Sequence, residues 1–82
     1  MHELSIATEI LKAVRTEAQR RPDARVRTVG LRLGDLSGVE EESLRFCFGA
    51  LVQGTDLDPL ALQIERLSGD QLDLAWLEVE EP

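Results

Sequence analysis

The sequence predicts a two-layer α+β domain in the order α-β-α-β-β, with two helices packed on a three-stranded sheet. Three observations predict it. Residues 3–20 and 40–53 repeat apolar side chains at spacings of three and four. Residues 25–35, 60–67 and 71–80 carry the alternation of strands. Turn-forming residues separate all five segments.

The elements can be justified in chain order. Leu4, Ala7, Ile10, Leu11, Val14 and Ala18 make one face of the first helix, with Glu9, Lys12, Arg15, Glu17 and Gln19 between them. Glu3 at its start and Arg20–Arg21 at its end suit the helix dipole, and Pro22 stops it. Val29, Leu31 and Leu33 alternate with Gly30 and Arg32 in the first strand, and Gly34-Asp35-Leu36-Ser37-Gly38 is a turn. Glu40-Glu41-Glu42 opens the second helix at the positive end of its dipole. Leu44, Cys47, Phe48 and Leu51 form its inner face, with Phe46 and Ala50 beside them, and Gly54 closes it.

Leu60, Leu62 and Ile64 share one face of the second strand. Ser68-Gly69-Asp70 reads as a tight turn, so the last two strands are expected to pair as an antiparallel hairpin. Leu72 and Leu74 have one parity in the last strand, Leu77 and Val79 the other. A regular strand cannot bury both sets on one face. The sequence therefore predicts a bulge or twist near Ala75–Trp76, or a partner that covers the second face. Two helices cover one sheet face only. Trp76 is a candidate interaction residue on the open face, with core filling at the bulge as the competing reading.

Composition narrows the function classes. At 82 residues the chain makes one domain. Cys47 is the only cysteine, which excludes an intrachain disulfide and a cysteine-built zinc site. The net charge of −7 argues against nucleic-acid binding. Residues 1–35 carry seven basic and five acidic side chains, whereas 36–82 carry two basic and eleven acidic, which gives solubility or steers a basic partner or a cation. No apolar run approaches the roughly 20 residues that span a bilayer. The opening MHELSIATEILK lacks the basic and apolar regions of a secretion signal, so a cytoplasmic protein is expected.

Catalytic machinery is missing. There is one histidine, no supported Ser/His/Asp grouping, and no phosphate loop, since Gly34-x-x-x-Gly38 lacks the lysine and hydroxyl that follow in a P-loop. Cys47 sits on an apolar helix face as a small hydrophobe. The sequence reads as a protein that is not an enzyme.

His2 carries the one distinctive chemistry. The amine of Met1, the deprotonated amide nitrogen of His2 and its imidazole Nδ1 can chelate one ion through fused five- and six-membered rings. The backbone nitrogen of Glu3 or a partner's ligand completes a planar nitrogen set. That set suits Ni(II) or Cu(II) far better than Zn(II), Mg(II) or Ca(II). It needs a free amine at Met1. By position alone, a histidine here is usually a solvated surface residue.

Five blocks then carry a resemblance. The opening Met1-His2-Glu3-Leu4-Ser5-Ile6-Ala7, the segment Val29-Gly30-Leu31-Arg32-Leu33-Gly34-Asp35-Leu36-Ser37-Gly38-Val39, Leu44-Arg45-Phe46-Cys47-Phe48, Leu62-Gln63-Ile64-Glu65, and the tail Ser68-Gly69-Asp70-Gln71-Leu72 through Glu80 occur in that order. In these the chain resembles the hydrogenase nickel-incorporation proteins, the HypA/HybF family. The resemblance implies a metallochaperone that delivers nickel during maturation of [NiFe]-hydrogenase, and of urease in some bacteria. It implies two partners, a HypB-type nickel GTPase and the hydrogenase large subunit precursor. It also implies a nickel site at His2 with backbone nitrogens around Met1 to Glu3.

One departure is large. The family carries a zinc module with two CxxC pairs, and here Leu67 runs straight into Ser68. Residues 1–82 are thus expected to be the nickel-binding domain without that module, binding Ni(II) and no zinc. The alternative is an interaction or oligomerisation module of the same fold that no longer delivers metal, with a homo-oligomer formed through the open sheet face.

Overall fold

A computed structural model describes residues 2–81. Helix α1 spans Glu3–Arg20, strand β1 Arg25–Gly34, helix α2 Glu41–Val52, strand β2 Ala61–Leu67 and strand β3 Leu72–Glu80. The order is the expected α-β-α-β-β, and both helices lie on one face of a three-stranded sheet. No helix among the described residues is long and apolar enough to cross a membrane.

In α1 the buried stripe is Ala7, Ile10, Leu11 and Val14. Leu4, expected on that face, lies 56% exposed in the first turn. In α2 the buried stripe is Leu44, Phe48 and Val52, a straight row of i,i+4 neighbours. Leu51 falls beside this row at the rim, and Cys47 is half-buried against the core. Glu40 caps the helix: its carboxylate accepts from the Glu42 N–H at 2.9 Å.

The sheet order is β2-β1-β3, with β1 in the centre. β1 runs parallel to β2 and antiparallel to β3. The expected β2–β3 hairpin does not form. The helix α2 carries the chain from β1 to β2 as a crossover, which makes that pair parallel. The link 68–71 then steps over the end of β1 to its other edge. Two strand spacings amount to about 10 Å, within reach of four residues. Three hydrogen bonds seat the link on the end of β1. The N–H groups of Gly34, Asp35 and Leu36 donate to the carbonyls of Gln71 (2.8 Å), Leu67 (2.8 Å) and Gly69 (2.7 Å). A Cβ on Gly34 would lie 2.7 Å from the Gln71 nitrogen and closer still to the Gly69 carbonyl. The tight turn is real, but it joins two edges rather than two neighbours.

The parity conflict in the last strand resolves as expected. Gly30 pairs with Trp76 and Leu31 with Leu74, which leaves Ala75 as an extra residue on β3. A second bulge places Arg27 opposite nothing on β1. Leu72, Leu77 and Val79 can therefore all pack on the core. Trp76 lies on the other face, 41% exposed, over Gly30. A Cβ on Gly30 would fall inside the indole.

A candidate metal centre at the amino terminus

His2 is the N-cap of α1, with extended φ and ψ of −88° and 98° and no side-chain capping bond. Its imidazole is exposed. Its carbonyl accepts the first intrahelical bond, from the Ile6 N–H at 3.2 Å. The opening N–H groups of a helix have no intrahelical acceptor. The His2 and Glu3 amide nitrogens thus stand outside the helical ladder, beside an imidazole that no helix cap occupies. Met1, the expected source of the amine, lies outside the described residues.

Glu3 does more than the sequence indicated. Its Oε2 accepts from the Glu40 N–H at 3.0 Å, which ties the start of α1 to the start of α2. That bond, then its own backbone N–H, holds the Glu3 carboxyl below the usual carboxylate range. Its carboxylate is thus engaged by backbone donors at the starts of both helices.

The anchorage continues into the sheet. Glu41 accepts from Arg45 and Arg66, each at 3.1 Å, and Arg66 also donates to Asp35 at 2.8 Å. The Arg45 guanidinium holds the Glu41 carboxyl low, with Arg66 adding to it. Asp35 and Glu41 in turn keep Arg66 charged. His2, the first turn of α2, the ends of β1 and β2 and the link 68–71 therefore share one end of the molecule. Sequence reasoning missed this network. Its one signal was Arg66, a basic residue at the position where Leu62 and Ile64 continue an inward parity.

These depressed carboxylates predict an acid limit. Asp56, held low by Arg15, joins Glu3 and Glu41. Groups whose folded pKa lies below the unfolded one add stability above the unfolded value and lose it as pH falls through the folded one. The urea midpoint should stay level above about pH 5 and decline below about pH 4. The decline should be shallower in Glu41→Gln and in high salt. An unchanged slope in Glu41→Gln would remove Glu41 from this account.

Among the described residues, no three His, Cys, Asp or Glu side chains converge on a point that could hold a metal. A cation at this end would draw on backbone nitrogens together with His2. That donor set fits Ni(II) or Cu(II) and fits oxygen-seeking ions poorly. Trp76, on the edge strand β3, lies on the sheet face away from the helices over Gly30 of β1, and is no part of this centre.

A family profile described as "Hydrogenase/urease nickel incorporation, metallochaperone, hypA" matches residues 1–72. The hydrogenase maturation factor HypA of Chlorobaculum tepidum is 42% identical over 69 residues, covering 84% of this chain and 61% of its own length. The HypA of Azotobacter vinelandii is 41% identical with the same coverage, and that of Methylocella silvestris 39% identical over 85% of this chain and 62% of its own. The chain thus spans about three fifths of the length of the relatives it matches. With the profile matched over most of its residues, the chain belongs to the HypA family of hydrogenase/urease nickel-incorporation metallochaperones.

Proposed function

We propose that this chain binds Ni(II) at its amino terminus and passes it on during maturation of [NiFe]-hydrogenase. The observation that supports this most is the exposed, uncapped His2 at the start of a helix whose first amides are free of the helical ladder. In this reading the amine of Met1, the amide and imidazole nitrogens of His2 and the backbone nitrogen of Glu3 enclose the ion in a plane. Nickel is cargo, and no bond of a substrate is made or broken. An exposed chelate at a chain terminus suits that task, because a receiving protein can approach it from the axial side. The receiving partners in this reading are a HypB-type GTPase and the hydrogenase large subunit precursor, in the cytoplasm. Cys47 alone cannot build the family's zinc module, so we place its absence between Leu67 and Ser68 and expect no zinc.

The test is a Ni(II) titration followed by calorimetry and visible absorption. The chain with a free Met1 amine should bind one equivalent with a planar d–d band. His2→Ala, and a chain with one residue added before Met1, should each bind on the order of 100-fold more weakly. Equal binding by all three would overturn the reading.

A second reading rests on Trp76, an aromatic 41% exposed on an open sheet face. Trp76 would contact a protein partner whether or not metal is bound. Adding the HypB-type GTPase should shift the emission of this single tryptophan, in the wild type and in His2→Ala alike. An unchanged emission would move the contact elsewhere.

A further inference from the structure

We propose that the outer edge of β3 docks an extended segment of a protein partner in which basic and apolar residues alternate. The inference extends the reading of Trp76 as a contact residue and is independent of nickel. Its basis is a difference between the two sides of one strand edge.

β3 pairs with β1 on one side, and among the described residues no strand pairs with its other side. A free edge offers backbone N–H and C=O groups to an added strand. The bulge at Ala75 interrupts this edge and leaves Trp76–Glu80 as its longer continuous run. On the face away from the helices that run presents Trp76, Glu78 and Glu80 in a row at alternate positions. On the helix side it presents Leu77 and Val79, both half-buried. These two join Ala18, Ala24 and Val26, together with Glu17 and the Glu81-paired Arg21, around a notch of about 110 Å³ between α1 and the sheet. A strand laid along the edge would therefore send alternate side chains to carboxylates with an indole, and to a mainly apolar notch.

Charge selects the occupant. Residues 67–82 contain Asp70, Asp73, Glu78, Glu80 and Glu81 and no Lys or Arg. Within the chain, Glu80 reaches Arg27 at 3.4 Å and Glu81 reaches Arg21 at 3.1 Å. Glu78 accepts from the Thr28 hydroxyl at 3.0 Å, a neutral donor that leaves its charge to a partner. A cation above the Trp76 ring adds a favourable contact. A second copy of this chain fits badly, because two β3 edges would set like carboxylates opposite one another. A strand with lysine or arginine at alternate positions, and valine-sized residues between them, satisfies both sides.

The experiment uses the full chain, labelled with ¹⁵N, and three eight-residue peptides. One alternates lysine and valine, one alternates glutamate and valine, and one is the lysine peptide with alternate backbone nitrogens methylated. The lysine peptide should shift the amides of Trp76–Glu80 and the indole, and should bind more weakly as salt rises. The glutamate peptide should not bind. The methylated peptide, with the same charge but half its donors blocked, should bind about tenfold more weakly. Glu78→Gln with Glu80→Gln should also weaken binding about tenfold, a size consistent with two or three exposed charge contacts. The glutamine at 78 keeps an acceptor for Thr28, and the peptide arms leave the protein unaltered. The proposal is overturned by equal binding of the methylated peptide, by shifts centred on α2 or β2, by binding of the glutamate peptide, or by a dimer that protects the β3 amides. A failure of the Trp76 reading itself would show separately, as unchanged emission with the GTPase while the lysine peptide still binds.

Discussion

Replacing Gly34 with valine is expected to remove a large part of the domain's stability. The link 68–71 crosses the end of β1 at Gly34, and a Cβ there would meet backbone atoms of Gly69 and Gln71 rather than a flexible side chain. Backbone cannot rotate aside, so the link must lift. Overpacking alone costs about 1–3 kcal/mol. The three hydrogen bonds from Gly34, Asp35 and Leu36 are then strained or lost, at about 0.5–1.5 kcal/mol each. A domain of this length has roughly 4–12 kcal/mol in total, from about 0.05–0.15 kcal/mol per residue. Urea denaturation should show a midpoint far below wild type, or no folded baseline. Gly49→Ala supplies the contrast. A Cβ at Gly49, on the outside of α2, meets nothing within 4 Å. That change should be neutral or stabilising by up to about 1 kcal/mol, through helix propensity. A Gly34→Val midpoint equal to wild type would mean that the link does not bear on β1 as described.

Nickel affinity is expected to collapse between pH 8 and pH 6 while the fold stays intact. Each nitrogen of the proposed chelate must lose or lack a proton. Amine and imidazole bind a metal only in their unprotonated forms, and the amide proton is displaced by the metal. Affinity should therefore fall at least tenfold for each pH unit across that range. The carboxylate contacts that set the acid limit of the fold, at Glu3, Glu41 and Asp56, titrate well below it. Nickel titrations at half-unit steps, paired with circular dichroism, separate the two events. A pH-independent affinity would point to ligands other than the amine and amide nitrogens. Loss of the fold along with the metal would show that the terminus is more than an appendage of α1.

Much of the architecture could be read from residue spacing. Apolar residues at three and four in 3–20 and 40–53 specified helices, because a helix must bury one stripe. Glu40 followed by Glu41 and Glu42 marked the start of α2, and Glu40 does cap it. The mismatch of parity between Leu72–Leu74 and Leu77–Val79 located the bulge at Ala75, because side chains on a strand alternate without exception unless a residue is inserted. His2 is proposed as a metal ligand from its place at the second position and from the resemblance of the opening block.

Pairing order was less legible. The alternation of β2 and β3 says that each is half-buried, and says nothing of which strand lies between them. A short turn suggested a hairpin because neighbours in sequence usually pair. The central place of β1 depends on Gly30 and Gly34, whose missing side chains admit Trp76 on one face and the link 68–71 at one end. Leu51 shows the same limit: spacing put it on the inner face of α2 with Leu44 and Phe48, and the position of the sheet beneath the helix leaves it at the rim.

By itself, then, the sequence determined the elements, most of their inward positions, the bulge, the family and the nitrogen-rich opening. These depend on local geometry, on the sign and polarity of side chains, and on the order of short blocks. The tertiary structure alone decided that β1 is central, that Glu3 reaches the Glu40 amide 37 residues away, and that Arg66 joins β2 to Asp35 and Glu41. It also decided that β3 is an edge with carboxylates on one side and a mainly apolar notch on the other. Such features arise where segments distant along the chain meet. Many pairings satisfy the same local pattern, and packing of the whole core selects among them.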